Sequence, residues 1–302
     1  MRAIKQLIAI IHFIMRHPLN AEKRFKALIK FLKWQLGVRL LNRKVITPWV
    51  NDSSFICGLG ETGMTGNFYT GLIEYEDMGF LLHALQPEEI FVDIGANVGA
   101  YTILASKVIG SQSIAFEPLP ETIDRLIDQI QINRINSRVD IRNKAVGDKE
   151  CQLFFTNNND TTNKVSLTGN ASNSTIVELT TLDIELDNTS KYFLKIDVEG
   201  YEFNVIEGTS NLLSSDAISA VIIELNGSGL EFGYSDEKVH QKLIGFGFKP
   251  IRYNPKLRIV TESISFNKNL RNTIYVKDIE RISNLCKISD KRVIHTAWGL
   301  QI

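Results

Sequence analysis

Carboxylate side chains stand where several strand-like runs of this 302-residue sequence end. The positions are those of Asp93, Glu117, the pair Asp197 and Glu199, and Glu224. Open α/β sheets bind ligands at the carboxyl ends of their strands, so acids there face the ligand. They can accept a proton, accept hydrogen bonds from hydroxyl groups or bind a hard cation.

A glycine-rich turn follows the first of these acids and offers backbone N–H groups at the start of a helix. Its sequence is DIGANVGAYT, with Gly95, Asn97 and Gly99 in alternate positions. A strand, such a turn and a helix suit a nucleotide-like ligand. The dinucleotide fingerprint would need glycine at positions 95, 97 and 100, and the amide of Asn97 would obstruct a close pyrophosphate. Asparagine tolerates the left-handed backbone region, so Asn97 can hold the turn.

Two acids bracket the predicted ligand. Asp93 precedes the turn by two residues and would face a cationic amino group. Glu117 lies 24 residues further on, where an acid meets ribose hydroxyls in Rossmann-like folds. Because no basic residue adjoins Glu117, a 2′-phosphate on the ribose is disfavoured.

Alternating strand and helix patterns position these residues. They predict an α/β fold, a mostly parallel sheet with helices on both faces and an antiparallel strand pair at the C-terminal end. The first predicted strand begins at Ile90. The other predicted strands are Ser113–Glu117, Val139–Val146, Tyr192–Asp197, Ala220–Leu225, Phe248–Tyr253 and Thr273–Lys277. Predicted helices include residues 121–135, 201–213 and 236–244.

This pattern divides the chain into four segments. Residues 1–46 are a basic helical extension, and residues 47–87 are a loop or hairpin followed by a helix. Residues 88–280 are the main domain, with a hairpin inserted at 151–180. The segment 281–302 is a C-terminal tail.

The N-terminal extension differs in charge from the rest of the chain. The first 45 residues carry eleven basic residues and one acid, whereas the remainder carries 23 basic and 33 acidic residues. Helical spacing places one apolar stripe on residues 21–41, made of Phe25, Leu28, Ile29, Leu32, Leu36 and Leu40. Three roles are therefore open for the extension. It docks at an anionic membrane surface, packs on the body of its own chain, or packs on a neighbouring subunit of a homo-oligomer. Nucleic acid is disfavoured, since the acidic body would repel it.

The first apolar run and the cysteines indicate the cellular compartment of the protein. The apolar run Leu7–Met15 is nine residues long, and a membrane span takes about twenty. This apolar run ends without the small-residue cleavage site of a signal peptide. Three widely separated cysteines fit neither a disulfide framework nor a zinc site. We therefore expect a cytoplasmic protein, with any contact to the inner membrane surface peripheral.

The chain resembles the FkbM family of S-adenosylmethionine-dependent methyltransferases over roughly residues 60–280. The motifs that carry the resemblance are FVDIGANVGAYT from Phe91, FEP from Phe116, TLD from Thr181, LKIDVEGYE from Leu194 and IE from Ile223. The resemblance implies a class I methyltransferase (Rossmann-like) fold. It also implies O-methylation, with a saccharide-containing acceptor such as a glycan, a surface polysaccharide or a natural product.

The resemblance also implies which residues hold S-adenosylmethionine. Gly95, Asn97 and Gly99 wrap its methionine part, and Asp93 lies near its amino group.

Further cofactor contacts are implied around the nucleoside. Glu117, followed by Pro118, holds the ribose, and the adenine pocket lies around Ala145. Tyr101 and Thr102 add contacts from the first turn of the helix.

Methyl transfer to a hydroxyl requires an aligned acceptor, exclusion of water and removal of a proton. Asp197, Glu199 and Glu224 are the candidate catalytic residues, because they follow the fourth and fifth strands. Asp197, Glu224 and Asn226 could instead hold Mg²⁺, which would position acceptor hydroxyls and lower the pKa of one. The sequence leaves both mechanisms open.

Two other functions compete with methyl transfer. An NAD-dependent oxidoreductase shares the fold type but is disfavoured by the displaced glycines. A non-catalytic module at a membrane surface or scaffold would explain the basic helix but not the acids at strand ends. Acceptor specificity is expected from the N-terminal extension and the Asn-rich insertion 156–175.

Overall fold

The computed structural model describes residues 2–41, 43–58, 62–156, 164–166, 174–269 and 271–302. The helices are α1 Arg2–Arg16, α2 Arg24–Leu41, α3 Thr62–Thr70, α4 Tyr75–Ala84, α5 Ala100–Ile103, α6 Pro120–Asn133, α7 Leu182–Glu185, α8 Glu202–Glu207, α9 Ser210–Ser214, α10 Asp236–Gly245 and α11 Ile279–Ile288. The strands are β1 Val45–Pro48, β2 Ser54–Cys57, β3 Ile90–Ile94, β4 Gln112–Phe116, β5 Val139–Arg142, β6 Ala145–Val146, β7 Cys151–Thr156, β8 Val165–Ser166, β9 Ser174–Thr180, β10 Tyr192–Ile196, β11 Ile218–Glu224, β12 Lys249–Asn254, β13 Ile259–Glu262, β14 Asn272–Val276, β15 Val293–Ile294 and β16 Leu300–Gln301.

The central sheet of the described chain has eight strands in the order β13-β12-β14-β11-β10-β3-β4-β5. The strands β5, β4, β3, β10 and β11 run parallel to one another. The strands β14, β12 and β13 are each antiparallel to their neighbours. The predicted α/β fold and its antiparallel C-terminal pair are confirmed, and β13 is an additional strand that the sequence pattern missed.

Side chains of the central strands are buried on both faces of the sheet. Phe91 of β3 and Phe193 of β10 pack against each other and against the α4 side of the core, where Phe80 lies 5.7 Å from Phe193 between ring centroids. Their chain neighbours Val92 and Leu194 belong to the core on the opposite face. Successive strand residues point to opposite faces, so a sheet covered on both sides requires nearly continuous apolar strands.

The predicted strand 139–146 is wrong in its second half. β5 ends at Arg142, and a tight turn follows in which the Lys144 amide donates to the Arg142 carbonyl at 2.8 Å. The side-chain amide of Asn143 holds this turn by donating to two carbonyls just after β4, at 3.1 and 2.8 Å. β6 then joins a separate sheet of order β6-β9-β7-β8. Its antiparallel pair β7 and β9 is the expected inserted hairpin, whereas the Asn-rich residues between them lie mostly outside the described residues.

The predicted helix 201–213 is divided into α8 and α9. Gly208 lies between them, and a Cβ there would stand 1.9 Å from the carbonyl oxygen of Gly147. The approach of these two backbones requires glycine and accompanies the break in the helix.

The segment 47–87 contains a helix, α3, in addition to the predicted hairpin and helix. Its sequence TGMTGNFYT has low helix propensity. Tertiary contacts hold it instead, since Met64 is fully buried and Tyr69 stacks edge-on against Phe31 of α2 at 5.1 Å.

Both chain ends pack on the main domain. Buried residues of α1 and α2 belong to the same core as Ile282 and Cys286 of α11. Within α2 the buried residues are Ala27, Phe31, Trp34 and Val38. The apolar stripe expected from the sequence lies on the opposite side of α2 and is largely exposed, so packing on the body through that stripe is wrong. No helix among the described residues is both long and apolar enough to cross a membrane.

Candidate functional site

The turn after β3 is built from left-handed backbone conformations. Gly95, Asn97 and Gly99 have φ of +79°, +49° and +81°. A Cβ at Gly95 would stand 1.9 Å from the carbonyl oxygen of Asp197, so this turn contacts the turn after β10 backbone to backbone. The role predicted for Asn97 in holding the turn agrees with its left-handed φ.

Asp93 is tied to the start of α5. Its Oδ2 accepts hydrogen bonds from the backbone N–H and the hydroxyl of Thr102, at 3.1 and 2.6 Å. Burial raises the pKa of Asp93 to about 6, against the lowering effect of the Thr102 hydrogen bond. The side chain of Thr102 is fully buried in this contact. Thr102 therefore acts through Asp93, in place of the direct ligand contact that the sequence predicted.

Glu117 follows β4 and links two turns. Its Oε2 accepts a hydrogen bond from the backbone N–H of Asn97 at 3.0 Å, and its Oε1 accepts one from Leu119 at 3.1 Å. Burial raises the pKa of Glu117 to about 7, although both backbone donors oppose the shift. The carboxylate of Glu117 is thus fixed in position at the carboxyl end of β4.

A first cleft lies between the ends of β4 and β6. Glu117, Pro118 and Ala145, three of the predicted cofactor residues, line it together. Apolar side chains complete its wall, namely Leu119, Val146, Phe155 and Val165. The lining of this cleft therefore combines the Glu117 carboxylate with a group of apolar side chains.

A second cleft lies on the other side of the turn after β3. Nine of its sixteen lining residues are polar or charged, and they include Glu74, Asp93, Tyr101, Lys195, Glu224 and Arg271. The two clefts share a wall made of Gly95, Asn97, Asp197 and Glu199. A ligand in the first cleft and a ligand in the second would meet at this shared wall.

The three predicted catalytic acids come together at the second cleft. Ligand oxygens of Asp197, Glu199 and Glu224 lie within 4.8 Å of one another. Glu224 is 4% exposed, and its Oε2 has no hydrogen-bond partner in the described part of the chain. Burial raises the pKa of Glu224 strongly, and the nearby charge of Asp197 raises it further.

Glu199 and Asp197 are partly exposed, whereas Glu224 is buried. The backbone of Glu199 is left-handed, with φ of +52°. Burial raises the pKa of Glu199, and the Asp197 carboxylate adds to the shift. The turn that carries Glu199 is held by Glu202 at the start of α8, whose Oε1 accepts hydrogen bonds from the backbone N–H groups of Val198 and Gly200 at 3.3 and 3.0 Å.

Lys195 supplies a buried positive charge that sequence reasoning did not assign. Its Nζ lies 3.0 Å from Oδ2 of Asp197 and 5.3 Å from the centroid of the Tyr101 ring. Burial alone would lower the pKa of this ammonium, but the carboxylates of Asp197, Glu74 and Glu224 raise it. Tyr101 itself donates a hydrogen bond to Glu74 at 2.5 Å, so its side chain belongs to the second cleft.

The signals for the missed residues differ. A lysine within the buried run YFLKI was detectable, since an isolated buried charge needs a partner. Arg271 had no local signal, because only the antiparallel pairing of β14 with β11 brings it 3.7 Å from Glu224.

The family model described as the Methyltransferase FkbM domain matches residues 93–250. A curated relative, the hexuronic acid methyltransferase AglP of Haloferax volcanii, is 28% identical over 159 residues. That match covers 51% of this chain and 62% of the relative.

Solved structures are more distant. TYW2 of P. horikoshii in complex with MeSAdo is 14% identical, with a TM-score of 0.40 and coverage of 87% of this chain and 86% of that one. TYW2 of M. jannaschii in complex with AdoMet is also 14% identical, with a TM-score of 0.38 and coverage of 77% and 84%. The family match spans just over half of the chain and includes the shared wall of the two clefts. The chain belongs to the FkbM methyltransferase domain family.

Proposed function

We propose that this protein is an S-adenosylmethionine-dependent methyltransferase that methylates a hydroxyl of a saccharide-containing acceptor. The observation that carries the proposal is the shared wall, which joins the first cleft, with its carboxylate and apolar side chains, to the second cleft with its cluster of charged side chains. A group transfer between two bound molecules needs this arrangement, since the reacting atoms must be held in contact while water is excluded.

The first cleft suits the adenosine part of the cofactor. Glu117 would accept hydrogen bonds from the ribose hydroxyls, and the apolar wall around Ala145 would contact the adenine ring. Gly95 and Asn97 would lie beside the methionine part. When bound, S-adenosylmethionine supplies the methyl group at its sulfonium.

The second cleft supplies the proton acceptor. Glu199 is our candidate, because it lies on the shared wall and, unlike Asp197, has no side-chain ion pair among the described residues. Asp197, fixed by Lys195, would orient the acceptor hydroxyl. Glu224, with its raised pKa, would donate a hydrogen bond in its neutral form.

The polar lining supports a saccharide as the acceptor, since sugar hydroxyls need many hydrogen-bond partners. Arg271 at the rim is 72% exposed and could bind a sugar carboxylate. A hexuronic acid is the substrate named for the curated relative, and its carboxylate would match this cation.

The test is methyl transfer from radiolabelled S-adenosylmethionine to a panel of oligosaccharides with and without uronic acid residues. The proposal expects labelled product with at least one oligosaccharide, and it expects Glu199→Gln to abolish most of the label. Transfer to a protein or a nucleic acid but to no saccharide would contradict the acceptor class.

Repeating the methyl-transfer assay with a chelator separates the two mechanisms for proton removal, a general base and a bound Mg²⁺. The three acids offer the oxygen ligands that Mg²⁺ prefers, and the unpartnered Oε2 of Glu224 fits such an ion. The general-base mechanism predicts full activity in chelator. Activity lost in chelator and restored by Mg²⁺ would transfer the role of the acids to metal binding.

A further inference from the structure

The N-terminal helices expose an unusual amount of apolar surface. On α2 the exposed residues are Phe25, Ile29, Leu32, Leu36 and Leu40, at 50–79% of their surface. Their spacing places them on one stripe along the helix. On α1 they are Leu7, Ile8, Ile10 and Phe13, at 40–61%. We call these nine residues the N-terminal apolar face.

This face is rigidly presented. The opposite side of α2 is buried, with the Trp34 ring 4.3 Å from that of Phe68. Lys30 adds a hydrogen bond from its Nζ to the carbonyl of Thr296 at 2.6 Å. A groove on α1, lined by Ile8, Ile11, His12, Met15 and Arg16, reaches Arg24 at the start of α2. The exposed stripe of α2 therefore does not pack on the main domain, because the main domain contacts the opposite side of this helix.

Basic side chains lie beside the apolar face, on one flank of the α2 stripe and at the groove. Lys26 and Lys33, seven residues apart, lie along one flank of the stripe and are exposed. Arg16 and Arg24 lie at the groove. No acid of the described residues forms an ion pair with these four cations. Glu22, the sole acid before residue 46, pairs with Lys256 at 3.7 Å.

We propose that the N-terminal apolar face binds an anionic membrane surface, with α1 and α2 lying in the plane of the interface. A helix with a broad apolar face flanked by lysine and arginine binds at the boundary between headgroups and acyl chains. The cations would pair with lipid phosphates, and four basic side chains without acidic partners in the described part of the chain, beside the apolar face, favour an anionic lipid surface over a protein partner with a neutral apolar patch. The proposal is independent of the reaction catalysed.

Vesicle flotation of the full chain tests the proposal. Vesicles of phosphatidylcholine with added phosphatidylglycerol should carry the protein to the top of a gradient at about 0.05 M salt, and much less at about 0.5 M. Vesicles of phosphatidylcholine alone should carry less protein. The variant Leu32→Glu/Leu36→Glu should reduce the bound fraction about tenfold or more, because it places charge in the apolar face. The matched control Ile184→Glu/Ile264→Glu, which alters exposed apolar residues elsewhere, should bind as the wild type does.

Three results would overturn the proposal. The first is wild-type protein that stays at the bottom with anionic vesicles at low salt, and the second is a Leu32→Glu/Leu36→Glu variant that floats unchanged. The third is a lipid-free dimer, seen by sedimentation velocity, that this variant converts to monomer, since the face would then be an interface between two copies. Circular dichroism checks that the variant is folded, and a second variant, Lys26→Gln/Lys33→Gln, repeats the test without charge in the apolar face.

Discussion

Glu199 is held in a backbone conformation that favours glycine. Its φ of +52° precedes a second positive value, +108° at Gly200. A left-handed conformation costs a residue with a Cβ about 1–2 kcal/mol. Strain of this kind persists where the surrounding structure enforces it, and it concentrates at functional sites. A glutamate retained at such a position is consistent with a role for its carboxylate in the reaction.

Two substitutions at this residue separate function from stability. Glu199→Gln should lower kcat by about 10²–10⁴, because the amide cannot accept the acceptor's proton. The acid limb of the wild-type pH profile should lie above the ordinary glutamate range, since burial and Asp197 raise its pKa. Glu199→Gly should lose turnover equally while gaining about 0.5–1 kcal/mol of stability. Steady-state kinetics and urea denaturation measure both effects, and a Gln variant with normal kcat would exclude Glu199 as the base.

Glu117 gives a prediction for stability against pH. Its pKa is raised to about 7 in the folded protein, so between the unfolded pKa and pH 7 the folded state binds more protons than the unfolded state. The free energy of unfolding therefore falls as pH rises through this window. Relative to Glu117→Gln, the unliganded wild type should lose about 2 kcal/mol between pH 5 and pH 8. Denaturation of both proteins across this range measures the difference, and parallel curves would show that the pKa is not raised.

At the scale of elements, α2 shows how two apolar faces on one helix determine different functions. Phe31 is 1% exposed and its neighbour Leu32 is 55% exposed. Phe31→Ala should cost about 3–5 kcal/mol through the cavity it leaves. Leu32→Ala should change stability by less than about 0.5 kcal/mol, because a surface leucine loses little on truncation. Chemical denaturation compares the two, and equal destabilisation would show that the stripe is buried in solution.

The elements also show what the sequence could predict. The strands β3, β10 and β11 are apolar runs, and the sequence predicts their ends to within two residues, because burial on both faces leaves a strong signal. The break between β5 and β6 depends on Asn143 binding carbonyls about 25 residues away, which no local pattern contains. For α2 the pattern revealed one apolar stripe, and the partner face with Phe31 and Trp34 was missed, so periodicity could not show which face is buried.

The candidate site shows the same contrast between local sequence patterns and contacts that form only in the folded chain. The turn after β3 and the acids at strand ends are local features, and the structure gathers them at two adjoining clefts. Glu74 and Arg271 enter the second cleft from distant parts of the chain, so their positions follow from the assembled fold.

At the scale of the whole molecule, Gly95 joins the two clefts. An alanine there would place its Cβ against the Asp197 carbonyl, a backbone atom that can move only with the turn after β10. Gly95→Ala should therefore reduce both cofactor affinity and turnover, each by more than about tenfold, corresponding to about 1.4 kcal/mol. The matched control is Gly247→Ala, which has φ of +84° but nothing within 4 Å of its Cβ. Calorimetry and kinetics should show the control unchanged, and a Gly95→Ala variant that behaves like it would argue against coupling of the clefts.

The most direct test of the account is calorimetric titration of the protein with S-adenosylmethionine and, separately, with NAD⁺. The account predicts that S-adenosylmethionine binds and NAD⁺ does not. It also predicts that Glu117→Ala weakens S-adenosylmethionine binding by roughly 1.5–3 kcal/mol, the range for hydrogen bonds to a charged group, whereas the exposed control Glu150→Ala leaves it unchanged. Binding of NAD⁺ in place of S-adenosylmethionine, or an unchanged affinity in Glu117→Ala, would contradict the assignment of the first cleft.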